Sequence, residues 1–243
     1  MGDATLALAP ADRILIHELL LLESAMQPTY RWVYELVAPY LGRSLLEVGS
    51  GVGAMSRLLV QRGDPIVLCD HHPAYLGHLR ERFGQLPHVT LRILDLSAPH
   101  YQLDTAIDTI VCLNVLEHIE DDRHALRGLA ALLPPGGRIV VQVPNHAWLF
   151  GSVDETYGHF RRYTKASLGE RLQVAGLRPS LLRHFNPLAV VGWWVTARAL
   201  RAPRLNRRAV RAFNAIVPLA RRLDFLSRFG GLSLLAVGER PLA

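Results

Sequence analysis

The chain has little of what an exported or membrane-spanning protein needs. It contains only two cysteines in 243 residues, which excludes a disulfide framework and favours a reducing compartment. Both of them, Cys69 and Cys112, lie in apolar runs and are predicted to be buried core residues. No apolar run reaches the roughly 18 to 20 residues that span a bilayer. Residues Met1–Pro10 lack the basic and then apolar pattern of a signal peptide, so we expect a cytoplasmic protein.

Metal-binding patterns are also scarce in the sequence. The two cysteines are not spaced as a ligand pair, and His71-His72 is the only tight group of histidines. The sequence therefore predicts no metal site.

The apolar residues that are present favour an α/β fold. Half of the residues are hydrophobic, enough for one large core. Two helices are predicted, Asp12–Glu23 and Thr29–Tyr40, on either side of Pro28. Helical patterns then alternate with strand-like runs, which predicts a seven-stranded, mostly parallel sheet with helices on both faces. The strands are predicted at 44–48, 66–69, 89–93, 107–113, 138–143, 181–185 and 232–237.

The most informative motif is Leu-Leu-Glu-Val-Gly-Ser-Gly-Val-Gly at residues 45–53. An apolar strand ends there in a turn that contains Gly49, Gly51 and Gly53. Glycines at these positions let a ligand lie against the backbone at the start of a helix, where N–H groups are free. In an open sheet, ligands bind beyond the carboxyl ends of the strands, which is where this turn is predicted to lie.

Two classes of nucleotide-like ligand are compatible with these glycines. Gly49-x-Gly51-x-x-Ala54 fits the dinucleotide fingerprint, and Asp70 lies near the spacing of the acid that holds a ribose. Glu47 separates the two classes, because a carboxylate facing the turn would repel a pyrophosphate. The same carboxylate suits the ammonium and sulfonium groups of S-adenosylmethionine.

Further segments follow the glycine turn in order. The run Ile66–Asp70 is a short apolar strand closed by an acid, and a third strand ends in Asp95-Leu96. Residues 107–119 continue from an apolar strand into a loop, and Pro-Pro-Gly-Gly-Arg follows at 134–138.

In their order and spacing these segments resemble the class I S-adenosylmethionine-dependent methyltransferases, from about Tyr30 to Glu239. The resemblance implies a Rossmann-like fold, S-adenosylmethionine as cofactor and no metal. It implies that Asp70 binds the ribose hydroxyls and that Asp95 accepts from the adenine amino group. The implied cofactor-binding residues are Tyr30, Glu47, Gly49, Ser50, Gly51, Gly53, Asp70, His71, Asp95, Leu96, Asn114 and Val115.

The implied reaction is an in-line displacement at a methyl group on sulfonium. It needs alignment and exclusion of water, with a base only if the acceptor carries a proton. His118, His146 and His159 are the candidates for that base. The alternative for His118 is a polar residue that caps a short helix at Ile119–Asp122.

The connection from Pro144 to Thr164 is the expected place for substrate recognition, because long loops are often functional. Its Asp154-x-x-x-Gly158-His159-x-Arg-Arg-Tyr pattern is similar to one subgroup of these methyltransferases. Two interpretations stay open: direct contact with the substrate, or an internal latch in which Asp154 or Glu155 pairs with an arginine. The candidate substrate-binding residues are Trp148, Asp154, Arg161, Arg162 and Tyr163.

Positive charge is concentrated in one segment. Between Arg198 and Arg228 nine arginines accompany one acid, a net charge of +8, which leaves −2 for the rest of a chain whose total is +6. Helical spacing places Arg207, Arg208, Arg211, Arg221 and Arg222 on one face, and Pro218 is expected to kink the helix. The predicted apolar face consists of Val210, Phe213, Ile216, Val217 and Leu223.

Three interpretations of this basic segment compete: a helical subdomain with a solvated face, attachment to an anionic membrane, and nucleic-acid binding. Trp193 and Trp194 beside an arginine-rich amphipathic helix favour an interfacial surface. Nucleic acid is the least favoured partner because no recognition motif accompanies the arginines.

We divide the chain into N-terminal helices (1–42), a cofactor-binding core (43–186), a basic helical insertion (187–231), and a last strand with a tail (232–243). The sequence favours a methyltransferase that acts on a small-molecule or lipid- or sugar-linked acceptor. One interpretation of the basic segment places the enzyme at a membrane surface. The alternatives are a non-catalytic, membrane-associated cofactor-binding scaffold and an NAD-dependent dehydrogenase. The sequence predicts no oligomeric state.

Overall fold

The structure, a computed structural model, describes residues 10–98, 102–204 and 207–242, with side chains from residue 16 onward. The segment in which we expect no signal peptide, Met1–Pro10, therefore lies outside the described residues except for Pro10. Seven strands form one sheet. Their bounds are β1 Leu45–Val48, β2 Ile66–Asp70, β3 Val89–Ile93, β4 Thr109–Leu113, β5 Arg138–Pro144, β6 Arg178–Phe185 and β7 Ser233–Glu239.

The sheet has the order β3-β2-β1-β4-β5-β7-β6. Strands β1 to β5 pair in parallel, and β7 runs antiparallel to both β5 and β6. The prediction of a seven-stranded, mostly parallel α/β sheet is confirmed. The predicted start of β4 at Ile107 is wrong by two residues. The Asp108 carboxylate accepts the backbone N–H groups of Arg43 and Ser44, so regular pairing begins only at Thr109.

Helices cover both faces of the sheet. Alternate residues of β1 point to opposite sides, so that Leu45 and Leu46 belong to different core clusters. The helices are α1 Pro10–Val37, α2 Ser56–Leu59, α3 Pro73–Phe83, α4 Asp122–Leu132, α5 Ser152–Thr156, α6 Lys165–Val174, α7 Ala189–Trp193, α8 Arg207–Ala215 and α9 Val217–Arg222. Cys69 and Cys112 are buried in the core, as predicted.

The prediction of two N-terminal helices separated at Pro28 is wrong, because α1 is continuous with Pro28 inside it. Contacts with other elements hold the helix on both sides of the proline. Before it, buried Glu23 accepts from Arg82 of α3 at 3.2 Å. After it, Thr29 donates to Asn214 of α8 at 2.8 Å, and a short 3₁₀ turn, Ala38–Tyr40, follows the helix.

The basic insertion lies between β6 and β7. Its helix α7 continues into a π-helical segment, Trp194–Ala199, and α9 is followed by a 3₁₀ segment, Asp224–Arg228. The expected effect of Pro218 is confirmed, since α8 ends at Ala215 and the proline lies in the first turn of α9. Ile216, which helical spacing assigns to the apolar face, lies at this break and is 45% exposed. Within the described residues, no helix is both long and apolar enough to cross a membrane.

Candidate functional site

The glycine turn connects the carboxyl end of β1 to helix α2, which packs on the sheet before β2. Gly49, Gly51 and Gly53 have φ values of +70°, +53° and +86°, a left-handed conformation that side chains disfavour. A Cβ on Gly49 would overlap Val115, and one on Gly53 would press on Phe83. A Cβ on Gly51 would meet no atom of the described residues within 4 Å, so the turn leaves open space at this position.

Glu47 lies in the middle of β1, directly beneath this turn, and is 5% exposed. Its carboxylate accepts a hydrogen bond of 2.5 Å from the Ser56 hydroxyl. Burial raises the pKa of Glu47 to about 7, and the bond from Ser56 opposes the shift only in part. A cationic ligand group beside this carboxylate would stabilise its ionised form. The residues therefore suit S-adenosylmethionine, which carries positive charge, better than a pyrophosphate.

Asp70 is the last residue of β2, and its carboxylate bonds both to the glycine turn and to the residues that follow β2. Its Oδ2 accepts from the Gly51 N–H at 2.9 Å, and its Oδ1 accepts from the His72 N–H at 3.0 Å. His71 is exposed beside it, with Nδ1 3.2 Å from Oδ1. Each carboxylate oxygen has a further lone pair, so the group can still accept from a vicinal diol.

The other predicted cofactor residues border the same edge of the sheet. Asp95 is exposed, and its Oδ1 accepts the Ser97 N–H at 2.8 Å. The Leu96 side chain is buried in the core, so only its backbone is placed to meet a ligand. Burial, with Glu23 and Glu47 nearby, raises the pKa of Tyr30 on α1 to about 12.

Three smaller predicted contacts complete this edge. Ser50 is buried, and its N–H donates to the carbonyl of Cys69 at 3.0 Å, which ties the turn to β2. Asn114 has a φ of +55° after β4, and its backbone N–H donates to the Gln142 carbonyl. Val115 is the side chain that Gly49 approaches. The structure thus brings the predicted cofactor residues of β1, β2 and β4 to one edge of the sheet.

The loop from Pro144 to Thr164 is organised around a buried ion pair. Asp154 is fully buried, and its carboxylate accepts from Arg162 Nε at 2.9 Å, His159 Nδ1 at 2.8 Å and the Gly151 N–H at 3.0 Å. Arg162 also donates to the Asn145 carbonyl, and its guanidinium lies over the Trp193 ring. These contacts form the internal latch that was one of the two interpretations.

A second group of contacts secures the end of this loop. The Tyr163 hydroxyl donates to Asp122 Oδ2 at 2.7 Å, and Arg171 donates to the same oxygen. Arg161 donates to the carbonyls of Ile119 and Glu120.

These positions correct the substrate-binding prediction in part. Asp154, Arg162 and Tyr163 are buried in internal contacts, so in this structure their side chains support the loop and are not available to a substrate. The loop is also less irregular than expected, since it contains α5 and a 3₁₀ turn, Ala147–Leu149. Trp148 is 56% exposed and remains a candidate for substrate contact.

Two of the three candidate bases come together, and the third lies in another group. His118 and His159 have ring centroids 4.6 Å apart in a perpendicular arrangement. Burial, and then His159, lowers the pKa of His118 to about 4. His146 stacks instead on His184 at 6.0 Å. The capping alternative for His118 is wrong, because Asp121 is the N-cap of α4 and accepts from the His124 N–H.

Glu117 is a site residue that the sequence reasoning missed. It is 1% exposed, its Oε2 has no hydrogen-bond partner among the residues that the structure describes, and burial raises its pKa to about 8. It lies beside the His118 and His159 rings. An acid placed next to a histidine at the end of a buried strand run was the signal that could have identified it.

Comparisons with known proteins agree with this site. A family model described as a methyltransferase domain matches residues 16–181. The ubiquinone biosynthesis O-methyltransferase of Aeromonas salmonicida is 26% identical over 175 residues, which cover 65% of this chain and 73% of the relative. A probable S-adenosylmethionine-dependent methyltransferase of Mycolicibacterium smegmatis is 29% identical over 140 residues, 56% of this chain and 52% of that relative.

Solved structures show the same fold at lower identity. An S-adenosylmethionine-dependent methyltransferase from Mesorhizobium loti superposes with a TM-score of 0.58 at 17% identity, covering 89% of this chain and 98% of that one. The N-methyltransferase NodS from Bradyrhizobium japonicum, in complex with S-adenosylhomocysteine, gives 0.53 at 16% identity, covering 98% and 91%.

Proposed function

The chain belongs to the methyltransferase-domain family and is an S-adenosylmethionine-dependent enzyme, and from this premise we propose that it methylates a hydroxyl group of a small-molecule or lipid- or sugar-linked acceptor at a membrane surface. The relatives named ubiquinone biosynthesis O-methyltransferases favour oxygen as the acceptor atom. The family assignment also excludes the dehydrogenase alternative.

Within this proposal, the cofactor is held by the residues around the glycine turn. When bound, S-adenosylmethionine supplies a methyl group made electrophilic by a sulfonium. Glu47 would face the positive charge, Asp70 would accept from the ribose hydroxyls, and Asp95 would accept from the adenine amino group. The observation that carries this assignment is the buried Glu47 carboxylate under an open turn.

The proton of the acceptor needs a base, and His159 is the candidate that the contacts favour. Its Nδ1 is held by the Asp154 carboxylate at 2.8 Å, an arrangement that orients the ring and leaves Nε2 as the nitrogen that can accept a proton. His118 stays neutral at pH 7 but is a weaker base, because its pKa is lowered to about 4. His159 would therefore take the single proton of the acceptor hydroxyl as its oxygen bonds to the methyl group.

The test measures S-adenosylhomocysteine formation with a panel of phenols and polyols. His159→Gln should lower turnover by about 100-fold, the range expected for loss of a general base, with unchanged S-adenosylmethionine affinity. His146→Gln is the matched control, from the separate ring pair, and should retain most of the turnover. If His159→Gln turns over like the wild type, the base is wrongly assigned.

The proposed membrane surface consists of exposed apolar and basic side chains on α9 and the segment after it. Leu219, Phe225 and Phe229 are 53%, 59% and 75% exposed, and the Arg228 guanidinium lies over the Phe229 ring at 4.6 Å. Apolar side chains interspersed with arginines suit the headgroup region of an anionic bilayer. Each basic residue near such a surface contributes about 1 kcal/mol.

A groove of about 650 Å³ between α1 and α9 supports the same proposal. Arg31, Arg221 and Arg222 line it together with Pro28 and Val217, and Arg221 also pairs with Glu35 of α1. The combination of guanidinium groups and apolar walls suits a phosphate headgroup attached to an acyl chain.

Vesicle co-sedimentation tests this part of the proposal. The protein should bind phosphatidylcholine vesicles that contain 30% phosphatidylserine, bind pure phosphatidylcholine weakly, and dissociate as salt rises. Phe225→Ser/Phe229→Ser should abolish most of the binding. Failure to bind the anionic vesicles at low salt would leave the basic segment as a solvated helical subdomain.

A further inference from the structure

We propose that Glu117, His118 and His159 form a binding site for one divalent transition-metal ion such as Zn²⁺. Their ligand atoms lie within 4.8 Å of one another. Glu117 and His118 belong to the 3₁₀ turn Leu116–His118 after β4, whereas His159 lies in the loop after β5. The proposed site therefore joins the segments that follow two neighbouring parallel strands, β4 and β5.

The unpartnered oxygen of Glu117 is the first observation that points to a ligand. Glu117 is 1% exposed, and its Oε2 has no hydrogen-bond partner within the described residues. A buried polar atom without a partner is costly unless a ligand satisfies it. A cation bound by this oxygen would satisfy it.

The balance of charge around Glu117 also favours a cation. Two buried carboxylates, Glu117 and Asp154, lie close to a single buried guanidinium, that of Arg162. Arg162 pairs with Asp154, at 2.9 Å. Among the described residues, Glu117 therefore has no paired cation, and a bound metal ion would favour the ionised form of its carboxyl group.

His159 is already oriented as a metal ligand. Its Nδ1 bonds to the Asp154 carboxylate, which leaves Nε2 as the free nitrogen. Histidines that ligate metals are held in this way by a carboxylate on the other ring nitrogen. The His118 ring already lies against the His159 ring, with centroids 4.6 Å apart.

The ligand types select the metal. Two imidazoles and one carboxylate suit Zn²⁺ or Co²⁺, whereas Mg²⁺ and Ca²⁺ prefer oxygen ligands. Tetrahedral Zn²⁺ with bonds of about 2.1 Å holds its ligand atoms about 3.4 Å apart, so coordination would draw these side chains closer by up to about 1.4 Å. Three protein ligands leave one position for water or another ligand.

Metal binding would have a functional consequence that rests on the proposed function. A metal on His159 Nε2 occupies the lone pair that would accept the acceptor's proton. Methyl transfer requires no metal in the proposed mechanism, so occupancy of this site would inhibit turnover.

The experiment titrates Co²⁺, and then Zn²⁺, into the tag-free full chain. One Co²⁺ per chain should give visible absorption bands typical of nitrogen and oxygen ligation, and Zn²⁺ should displace it. His118→Ala and Glu117→Gln should each weaken Co²⁺ binding by at least tenfold. His17→Ala, an exposed histidine on α1, is the matched control and should bind as the wild type does.

Thermal melts and S-adenosylmethionine affinity, measured on every variant, show whether each one is folded. Absence of stoichiometric Co²⁺ binding in the wild type, or unchanged binding in folded His118→Ala, overturns the metal site. Binding of Zn²⁺ without inhibition supports the metal site and counts instead against His159 as the base.

Discussion

The glycine turn after β1 and the loop after β5 lie at the same edge of the sheet, yet they are held in different ways. The turn is fixed by its own backbone conformation and by one carboxylate, Asp70, that accepts from two nearby N–H groups. The loop is fixed by buried ionised side chains, with Asp154 at its centre. A turn of the first kind leaves polar atoms for a ligand, whereas a loop of the second kind uses its charges internally. Substitutions in the turn should therefore change binding, and substitutions in the loop should change stability.

The largest effect is expected from Asp154→Ala. Removal of this carboxylate leaves the Arg162 guanidinium buried without its partner, which typically costs about 3 to 5 kcal/mol of unfolding free energy. Urea denaturation measures this loss. The folded fraction should still bind S-adenosylmethionine with the wild-type affinity.

Glu155→Ala is the matched control because Glu155 is the exposed neighbour in the same helix. It should change stability by no more than about 0.5 kcal/mol. A loss below about 1 kcal/mol for Asp154→Ala would show that the latch contributes little to the fold.

Asp70→Asn tests the glycine turn, the other of the two regions compared. It keeps the shape of the side chain but removes the charge, and a hydrogen bond to a charged group contributes about 1.5 to 3 kcal/mol. Calorimetry should show S-adenosylmethionine affinity lower by about 10- to 100-fold. Asp104→Asn, at an exposed position, should leave the affinity unchanged. A variant that loses stability but not affinity would place Asp70 with the latch residues.

The pH dependence of cofactor binding should identify the Glu47 carboxylate as the group that interacts with the positive charge of the ligand. The pKa of Glu47 is about 7 without ligand, and a cationic ligand favours the ionised form. Affinity should therefore be level above pH 7 and fall by up to tenfold per unit below it, as the carboxyl binds a proton that the ligand must displace. Glu47→Gln should bind more weakly and should lose this slope, while any titration of the ligand itself remains.

The smallest effect is expected from Ser56→Ala. The Ser56 hydroxyl donates to the Glu47 carboxylate and lowers its pKa, so the variant should have a still higher Glu47 pKa. The midpoint of the binding profile should move to higher pH, with little change in affinity above it. A midpoint that stays in place would assign the titration to another group.

These two regions also differ in how far the sequence could predict them. The glycine turn is a contiguous pattern whose residues act on their immediate neighbours, so Glu47, Gly51 and Asp70 were placed correctly at one sheet edge. In the loop, spacing alone left several pairings open between Asp154 or Glu155 and Arg161 or Arg162. Only the folded path of the chain decides that Asp154 pairs with Arg162.

Long-range contacts account for the other differences. Pro28 predicts a break on local grounds, but Glu23 and Thr29 bind separate elements and keep α1 continuous. Glu117 and His159 are 42 positions apart in the chain, so nothing local indicated that they meet. The mostly parallel sheet with helices on both faces was accessible because alternating strands and helices restrict the architecture.

The antiparallel strand β7 has a consequence for how this protein can be altered. Phe185 at the end of β6 pairs with Ser233 at the start of β7, so the basic insertion leaves the sheet and rejoins it at neighbouring positions. Pro144, at the carboxyl end of β5, pairs with the same serine. Both junctions thus lie at the sheet edge that also carries the glycine turn. The two ends of the insertion therefore lie close together in the sheet. Its replacement by another segment would exchange the surface beside this edge while leaving the sheet pairing intact, so a chimera would test whether the insertion affects acceptor choice.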